Sequence, residues 1–199
     1  MGKGIETRQA ILHHAMRLAS QIGLEALSIG GLSQSLGLSK SGLFSHFKSK
    51  ENLQIAVIDE AASFFIDSIV RPAIQKPRGE PRVRALFENW LAWASKSFLP
   101  GGCIFAAAAM EYDDRPGPIR EHIVGKQEAW LKTMTKAIQI AIEEEHFRKD
   151  IDPDQLAFNL YGLLLASHHS SRLIGDPLAI QRARAGFEQL VASARPPNA

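Results

Sequence analysis

Apolar residues recur along this chain at the three- and four-residue spacing of helices. In the first such segment, Ile11, Ala15, Leu18 and Ile22 follow one another at spacings of four, three and four, which places them on one helix face. No segment alternates apolar and polar residues over the length of a strand, and no Asn-Gly or Asp-Gly pair marks a hairpin. The spacing therefore predicts an all-α fold of about nine helices.

Glycine, proline and serine residues divide the predicted helices. Gly23 and Gly37 follow the first two, as glycine commonly does at a helix C-terminus, and serines precede the next three. The predicted helices cover about 5–22, 29–36, 40–46, 50 to near Pro72, 81–99, 103–112, 118–147, 153–173 and 177–195. The first three helices form a head in residues 1–49, and the other helices form a larger body in residues 50–195.

The length and the cysteine content limit the class of protein. With 199 residues the chain is long enough to bury a core in one large or two small domains. Its only cysteine, Cys103, excludes an internal disulfide, so a reducing cytosol is the natural compartment. The N-terminal residues lack the apolar stretch of a signal peptide, and the longest apolar runs are too short to span a bilayer. We expect a cytoplasmic protein with no membrane partner.

Positive charge is concentrated near the N-terminus. Residues 1–52 carry six lysines and arginines against three acidic residues, although the net charge of the whole chain is only +2. A basic head on a nearly neutral body suits a polyanionic partner for the head. A solvated basic surface without a partner explains the charge alone equally well.

The segment LGLSKSGLFSHFKSKENL, residues 36–53, has the pattern of a helix-turn-helix unit. Gly37 separates two short helices, as in the tight turn of this motif. The second helix of such a unit enters the DNA major groove, so its outer face needs small or polar residues. The outer face is predicted to carry Lys40, Ser41, Gly42 and Ser45, the inner face Leu38, Leu43 and Phe47, and Lys48 and Lys50 are predicted phosphate contacts.

The run from Gly23 to Leu53 resembles the N-terminal domain of the TetR (tetracycline-repressor) family of bacterial transcriptional regulators. The family pattern G-V-S-x-x-T-L-Y-x-H-F, followed by x-S-K-E-x-L, is matched in order and spacing by GLSKSGLFSHF and KSKENL. Gly42 stands where the family usually has threonine, and Phe44 and Ser45 stand at positions often held by tyrosine or another aromatic residue. Phe44 lacks a phenol for a phosphate contact, and Gly42 has no side-chain donor, so the base-reading set departs from the family pattern.

The resemblance implies a ligand-responsive repressor that binds double-stranded DNA at a pseudo-palindromic operator as a homodimer, with an activator as the alternative. It assigns residues 1–49 to DNA binding and residues 50–195 to ligand binding and dimerisation. The residues expected near DNA are Ser28, Lys40, Ser41, Gly42, Ser45, His46, Lys48 and Lys50. For His46, packing at the corner between the third and fourth helices is the alternative to a DNA contact.

The resemblance also implies that the body holds a small-molecule effector, whose identity the sequence leaves open. The residues expected to line the effector site are Phe64, Trp90, Trp93, Phe105, Tyr112, Trp130 and Phe158. Aromatic residues at helical spacing also fill the interior of a bundle, so a plain core role is the alternative for each of them. Cys103, which follows two glycines at a helix start, is either a reactive sensor thiol or a small packing residue.

The helix LAFNLYGLLLASHHSSRLI is apolar over more than one face, whereas a surface helix needs only one apolar stripe. Its second face is expected to pack against a second copy of the chain, in a two-fold four-helix interface with the last helix. The residues expected at this interface are Leu163, His168, Phe187, Leu190 and Val191. No metal or cofactor is expected, because adjacent histidines such as His168 and His169 face different directions.

An enzyme and a protein-binding adaptor are two other classes of function open to a helical chain. The sequence contains no G-x-S-x-G motif, no H-E-x-x-H motif and no glycine-rich phosphate loop beside a lysine, so no enzymatic activity is expected. An adaptor without specific DNA recognition stays as the alternative function. It leaves the small outer face of the predicted third helix and the flanking lysines without a purpose.

Overall fold

The computed structural model describes the backbone of residues 3–95 and 98–197, and the side chains from Arg8 onward within those ranges. These residues form nine helices and no strand, which confirms the expected all-α fold. None of these helices combines the length and the apolar character needed to cross a bilayer. The helices are α1 (Lys3–Ile22), α2 (Ile29–Leu36), α3 (Lys40–Phe47), α4 (Lys50–Phe65, continued by the π-helical turn Ile66–Val70 and by Arg71–Ile74), α5 (Glu80–Ala94), α6 (Ile104–Tyr112), α7 (Pro118–Glu143), α8 (Pro153–His169, continued by the π-helical turn Ser170–Ile174) and α9 (Ala179–Ala194).

Local sequence signals fix several of these helix ends. Gly23, Gly37 and Gly175 adopt left-handed backbone conformations with φ of 89°, 64° and 72° directly after α1, α2 and α8. At the start of α8, the carboxylate of Asp152 accepts two backbone N–H groups of the first turn at 2.9 and 3.1 Å. Pro153 occupies the first helical position, where its missing N–H costs nothing. These ends agree with the sequence prediction.

Two helices are shorter than predicted. α5 ends at Ala94 rather than near residue 99, and α7 ends at Glu143 rather than near residue 147. Glu145 has a φ of 59°, so the backbone leaves the helical path there. Phe147 lies beyond the helix end but is only 1% exposed. The apolar spacing therefore continues past the last helical turn, which explains why the sequence predicts a longer helix.

One compact unit comprises Met1–Phe64 together with Ser95–Lys126. It contains α1–α3, most of α4, α6 and the first part of α7, and Leu27, Leu32 and Leu43 in its interior are fully buried. The segment before α6 lies directly on α1, because a Cβ atom at Gly101 would lie 1.3 Å from the carbonyl oxygen of Ser20. Only glycine fits at position 101, so this contact is fixed by the sequence.

The other compact unit comprises Phe65–Ala94 together with Gln127–Ala199. In it α8 packs against α9 and against α5. Phe87 of α5 stacks on Phe187 of α9 with ring centroids 4.3 Å apart, and Trp90 and Trp93 are 2% and 0% exposed. Large aromatic residues thus form the core of this unit, where each buries a large apolar area.

Candidate nucleic-acid interface

Hydrogen bonds fix both helices of the helix-turn-helix unit at their starts. The hydroxyl of Ser28 accepts the N–H of Gly31 at 3.1 Å before α2, and the hydroxyl of Ser39 accepts the N–H of Gly42 at 3.1 Å before α3. Each cap satisfies a backbone donor that a helix start leaves unpaired. Gly37 makes the turn between the helices. α3 is only 8 residues long, and the Ser39 cap fixes its start at Lys40.

α3 has one buried side and one exposed side. Leu43 and Phe47 are 0% and 2% exposed and attach α3 to the interior of its unit. Leu38, predicted to face inward with them, is 43% exposed, so that prediction is wrong. The reason is that Leu38 lies in the turn before α3, where helical spacing does not apply. The exposed side consists of Lys40, Ser41, Gly42, Phe44, Ser45 and Lys48.

Serine hydroxyls on the exposed side of α3 make hydrogen bonds within the unit. The Ser45 hydroxyl donates to the carbonyl oxygen of Gly42 at 2.7 Å. The Ser41 hydroxyl lies 3.3 Å from that of Ser39, which already caps the helix. These serines therefore offer a small surface for close approach, while the positive charge of the exposed side comes from Lys40 and Lys48.

The structure gives the eight predicted DNA contacts different surroundings. Ser28 caps α2, and His46 is half-buried, with its ring centroid 6.2 Å from that of Phe47. Lys50 forms an exposed ion pair with Glu25 at 2.8 Å, so its ammonium group already has one partner within the chain, and its phosphate contact stays a prediction. The five others lie together on the exposed side of α3: Lys40, Ser41, Gly42, Ser45 and Lys48.

A polar network joins the turn between α1 and α2 to α4 and α6. The Tyr112 hydroxyl donates to the carboxylate of Glu25 at 2.7 Å and accepts the amide N–H of Gln54 at 3.2 Å. Gln54 is 1% exposed, and Arg115 lies 3.7 Å from Glu25. The hydrogen bond from Lys50, and after it that from Tyr112, lowers the pKa of Glu25 below its usual value. Burial, and after it the hydrogen bond to Glu25, raises the pKa of Tyr112.

Sequence reasoning does not reveal this network. Tyr112 is expected to line the effector site; its hydroxyl is engaged in this network, in the compact unit that also contains the head, and its place at the effector site stays a prediction. The burial of Gln54 is not predictable from the sequence, because one polar residue on an amphipathic helix resembles a surface position. Arg115 lies in the charged turn YDDRPGP after α6, where a cluster of charges does not by itself identify the partner.

α6 also contacts the α1–α2 turn through its last turn. The carboxylate of Glu111 accepts the N–H groups of Leu24 and Glu25 at 3.3 and 2.9 Å. Gly23 is required beside it, because a Cβ at that position would lie 2.3 Å from the carboxylate and φ is 89°. At the other end of α6, Cys103 is 2% exposed, as its packing interpretation expects.

The residues predicted to line the effector site are divided between the two units. Phe64, Phe105 and Tyr112 belong to the unit that contains the head, and Trp90, Trp93, Trp130 and Phe158 belong to the other. Phe158 is 71% exposed on α8, so it lines no interior site in the single chain, and its assignment is corrected. Helical spacing alone does not separate it from the buried aromatic residues.

Trp93 and Trp130 are in one aromatic cluster around Phe65. The ring centroid of Phe65 lies 5.6 Å from that of Trp93 and 5.0 Å from that of Trp130, both edge to face. Trp130 is 6% exposed, and its indole N–H has no hydrogen-bond acceptor among the described residues. A buried donor without an acceptor is costly, so this N–H is suited to an acceptor on a bound molecule.

Two of the five residues predicted at the subunit interface are buried within their own subunit. Phe187 and Val191 are 2% and 0% exposed, and Phe187 stacks on Phe87. Leu163 points to α9, where a Cβ at Gly186 would lie 2.9 Å from a Leu163 methyl carbon. The assignments of Phe187 and Val191 are corrected, because the most apolar stripe of α9 packs within the subunit. Leu163 is only half-buried, and its place at the interface stays a prediction.

The other two predicted interface residues, His168 and Leu190, are half-buried. The ring centroid of His168 lies 6.3 Å from that of Trp90, and burial lowers the pKa of His168 below its usual value. The exposed stripe of α8 repeats at three- and four-residue intervals and consists of Phe158, Gly162, Ala166, His169 and Leu173. We call these five residues the outer stripe of α8.

Two family models match the chain. The model for bacterial regulatory proteins of the tetR family matches residues 11–57, which include α2 and α3. The model for the tetracyclin repressor-like C-terminal domain matches residues 79–187. Together they cover both the helix-turn-helix unit and most of the body.

Individual relatives are similar over nearly the whole chain. The HTH-type transcriptional repressor DhaR of Mycobacterium sp. (strain GP1) is 23% identical over 184 residues, which are 92% of this chain and 88% of that protein. A TetR-family transcriptional regulator from Cytophaga hutchinsonii superimposes with a TM-score of 0.82 at 21% identity, over 98% of both chains. A TetR transcriptional regulator from Chloroflexus aurantiacus J-10-FL superimposes with a TM-score of 0.80 at 26% identity, over 96% of both chains.

Proposed function

The chain belongs to the TetR family of bacterial transcriptional regulators, and from this premise we propose that it binds a pseudo-palindromic operator as a homodimer and leaves it when an effector binds. It is a ligand-responsive transcriptional regulator, and proteins of this family are generally not enzymes. A regulator of this kind works on DNA, so we place it in the cytoplasm. Residues 1–49 would bind DNA, and residues 50–195 would bind the effector and form the dimer.

The exposed side of α3 is the observation that carries the proposal. It presents small residues flanked by the cations of Lys40 and Lys48, while Leu43 and Phe47 hold the opposite side in the core. A helix of this kind fits a major groove, because small side chains let the backbone approach the base edges. Phosphate contacts by the two lysines would supply affinity that falls steeply as salt concentration rises.

The outer stripe of α8 is the surface that we assign to the dimer. Its members include two small residues, Gly162 and Ala166, and two large exposed apolar residues, Phe158 and Leu173, which are 71% and 76% exposed. Exposed apolar groups of this size favour burial against another surface. Small residues between them allow two helices to approach closely. A two-fold axis across α8 and α9 would bring the stripe against its own copy.

The cluster of Phe65, Trp93 and Trp130 is the place that we assign to the effector. An aromatic or apolar molecule with a hydrogen-bond acceptor would accept the indole N–H of Trp130 and remove the cost of its burial. An effector lowers operator affinity only if it prefers a conformation other than the DNA-bound one. Couplings of this kind are typically about 1–3 kcal/mol, a change of roughly 5–150-fold in affinity.

Selection of binding sites from a randomised duplex library tests the proposed function. The purified protein should enrich an inverted repeat whose half-site centres lie about one helical turn or a modest multiple apart, roughly 34–36 Å per turn. Enrichment of no sequence above background, with and without a cell extract that could supply an effector, would contradict DNA recognition. The adaptor function would then be the one to examine.

A further inference from the structure

Phe44 is a large apolar residue on the exposed side of α3. It is 53% exposed, although Leu43 and Phe47 on the same helix are 0% and 2% exposed and already complete the contact with the core. More than half of its surface therefore stays available to a partner. The ring lies in a shallow surface groove between α2 and α3, whose other lining residues are Ile29, Gly30, Lys40, Ser41, Ser45 and Lys48.

The charge around Phe44 indicates what occupies this groove. Lys40 lies four residues before Phe44 on the same side of α3, and Lys48, the residue directly after α3, lines the same groove. The described residues that line the groove include no acidic side chain. Gly30, which also lines the groove, adds no side chain to it. This surface complements a polyanion that approaches the backbone closely, and we take duplex DNA as that occupant.

The chemistry of a phenyl ring selects one feature of the major groove. The ring has no hydrogen-bond donor or acceptor, so it cannot pair with the nitrogen and oxygen atoms of the base edges or with a phosphate. The 5-methyl group of thymine is the apolar feature that the major groove offers. We propose that Phe44 packs against this methyl group and thereby specifies thymine at one position of each half-site. The proposal rests on the proposed function, because it requires α3 to lie in the major groove.

The side chains next to Phe44 offer few hydrogen bonds to bases, so its contact with the thymine methyl group matters more for sequence preference. The Ser45 hydroxyl donates its proton to the carbonyl oxygen of Gly42 at 2.7 Å, and Ser41 shares a hydrogen bond with Ser39. Gly42 has no side chain to offer. Hydrogen bonds from this side of α3 to base edges are thus few, and contact with the methyl group accounts for a larger part of the sequence preference.

Replacement of thymine by deoxyuridine in the selected operator tests the assignment. Deoxyuridine keeps the hydrogen-bonding groups of thymine and removes only the methyl group. One thymine position, changed in both half-sites together, should weaken wild-type binding about fifteenfold. This corresponds to about fourfold for each half-site, or about 0.8 kcal/mol, the value of one buried methylene. The other thymine positions should change binding less than twofold.

Variants of the exposed apolar residues complete the test. Phe44→Ala should bind the thymine and deoxyuridine operators with equal affinity, and Phe44→Leu should keep most of the preference, because leucine still contacts a methyl group. Ile74→Ala is the matched control, since Ile74 is also 53% exposed but lies outside the head. It should discriminate between the two operators as the wild type does.

Four results would overturn the proposal. If the wild type binds the operator but no thymine position is sensitive to deoxyuridine, or if the selected half-sites lack an invariant thymine, Phe44 does not read a methyl group and DNA binding itself stands. If Phe44→Ala keeps the full preference, another residue reads the methyl group. If no duplex is selected at all, the proposed function fails, and this inference fails with it.

Discussion

At the scale of single residues, the polar contacts that hold the head are more specific than its apolar core. The carboxylate of Glu25 takes hydrogen bonds from Tyr112 and Lys50, and Glu111 closes the same turn from α6. Apolar contacts between buried leucines are compatible with several packing arrangements. Hydrogen bonds of 2.7–2.9 Å between named donors and acceptors are compatible with only one arrangement. The orientation of the helix-turn-helix unit relative to α6 therefore depends on a few named atoms.

Removal of the Tyr112 hydroxyl should show how much this network contributes. Tyr112→Phe removes a hydrogen bond to a charged carboxylate and leaves the amide of Gln54 with one partner fewer. We expect the free energy of unfolding to fall by about 1–3 kcal/mol in urea denaturation. Tyr161→Phe is the control, because the Tyr161 hydroxyl donates to the neutral amide oxygen of Gln127. Its loss should be smaller, and an equal loss in both variants would contradict the special role of Glu25.

Glu80 is predicted to make the stability of the compact unit Phe65–Ala94 with Gln127–Ala199 sensitive to acid. Its carboxylate accepts hydrogen bonds from Arg195 at 2.6 and 2.8 Å and from Arg84 at 2.6 Å. The bonds from Arg195, and after them those from Arg84, hold the pKa of Glu80 below 4.5 despite its burial. A lowered folded-state pKa contributes stability that is present above the unfolded value and is lost as the pH falls through the folded value.

Urea denaturation at a series of pH values from 7 to 3 measures this contribution. The wild type should lose stability progressively below pH 4.5. Glu80→Gln should be less stable at pH 7 and should lose less on acidification, because it has no proton to gain at this position. A wild type and a variant whose stabilities fall in parallel over this range would show that Glu80 does not contribute.

At the scale of helices, the residues at a helix end contribute to its stability as well as the residues on its buried face. α3 has only 8 residues, too few to be stable alone in water, so its cap and its buried side must hold it. Ser39 provides the cap, and Leu43 and Phe47 provide the buried side. The sequence reveals all three, because serine before a short apolar-periodic segment is a direct N-cap signal.

Loss of the Ser39 cap should weaken both stability and DNA binding. Ser39→Ala leaves the N–H of Gly42 without its acceptor, which should cost about 1 kcal/mol in chemical denaturation. Operator affinity should fall as well, because the first turn of α3 carries Lys40. Thr133→Ala is the control, since the Thr133 hydroxyl bonds back to its own helix at Ala129 and caps nothing. A larger loss in the Thr133 variant would contradict the cap assignment.

Helix ends inside apolar segments are less predictable from sequence. Pro72 suggested an end of α4, but the helix continues to Ile74, because the π-helical turn Ile66–Val70 precedes the proline. The proline then stands near the start of the last short segment, where a missing N–H is tolerated. A local change from α- to π-helical hydrogen bonding has no apolar signature of its own. The sequence therefore predicts where helices exist more reliably than where they end.

At the scale of the whole molecule, the sequence predicts the fold and the position of α3, but not which side of a helix faces a partner. Helical spacing, capping serines and left-handed glycines determine the all-α fold from local chemistry alone. The interface prediction selected the most apolar residues of the last two helices, such as Phe187 and Val191, and these are buried in the subunit. The outer stripe of α8 mixes glycine, alanine and histidine with Phe158 and Leu173, so composition does not distinguish it.

A charge placed in the outer stripe of α8 should separate the dimer. Ala166→Arg puts a cation where two copies of the stripe would meet, and burying an unpaired charge is strongly unfavourable. Analytical ultracentrifugation should show a dimer for the wild type and a monomer for the variant. Ala92→Arg is the matched control, because Ala92 is an exposed alanine on α5 of the same unit. A dimeric Ala166 variant would contradict the assignment of this surface.

The salt dependence of operator binding tests the central claim most directly. For wild type, Lys40→Ala and Lys149→Ala, the logarithm of the binding constant would be measured against the logarithm of the salt concentration. The slope for Lys40→Ala should be smaller in magnitude by about two, one phosphate contact for each half-site, and its affinity lower. Lys149, whose side chain is 83% exposed at the end of a surface ion pair, should leave the slope unchanged. Equal slopes for all three proteins would show that α3 does not lie on DNA.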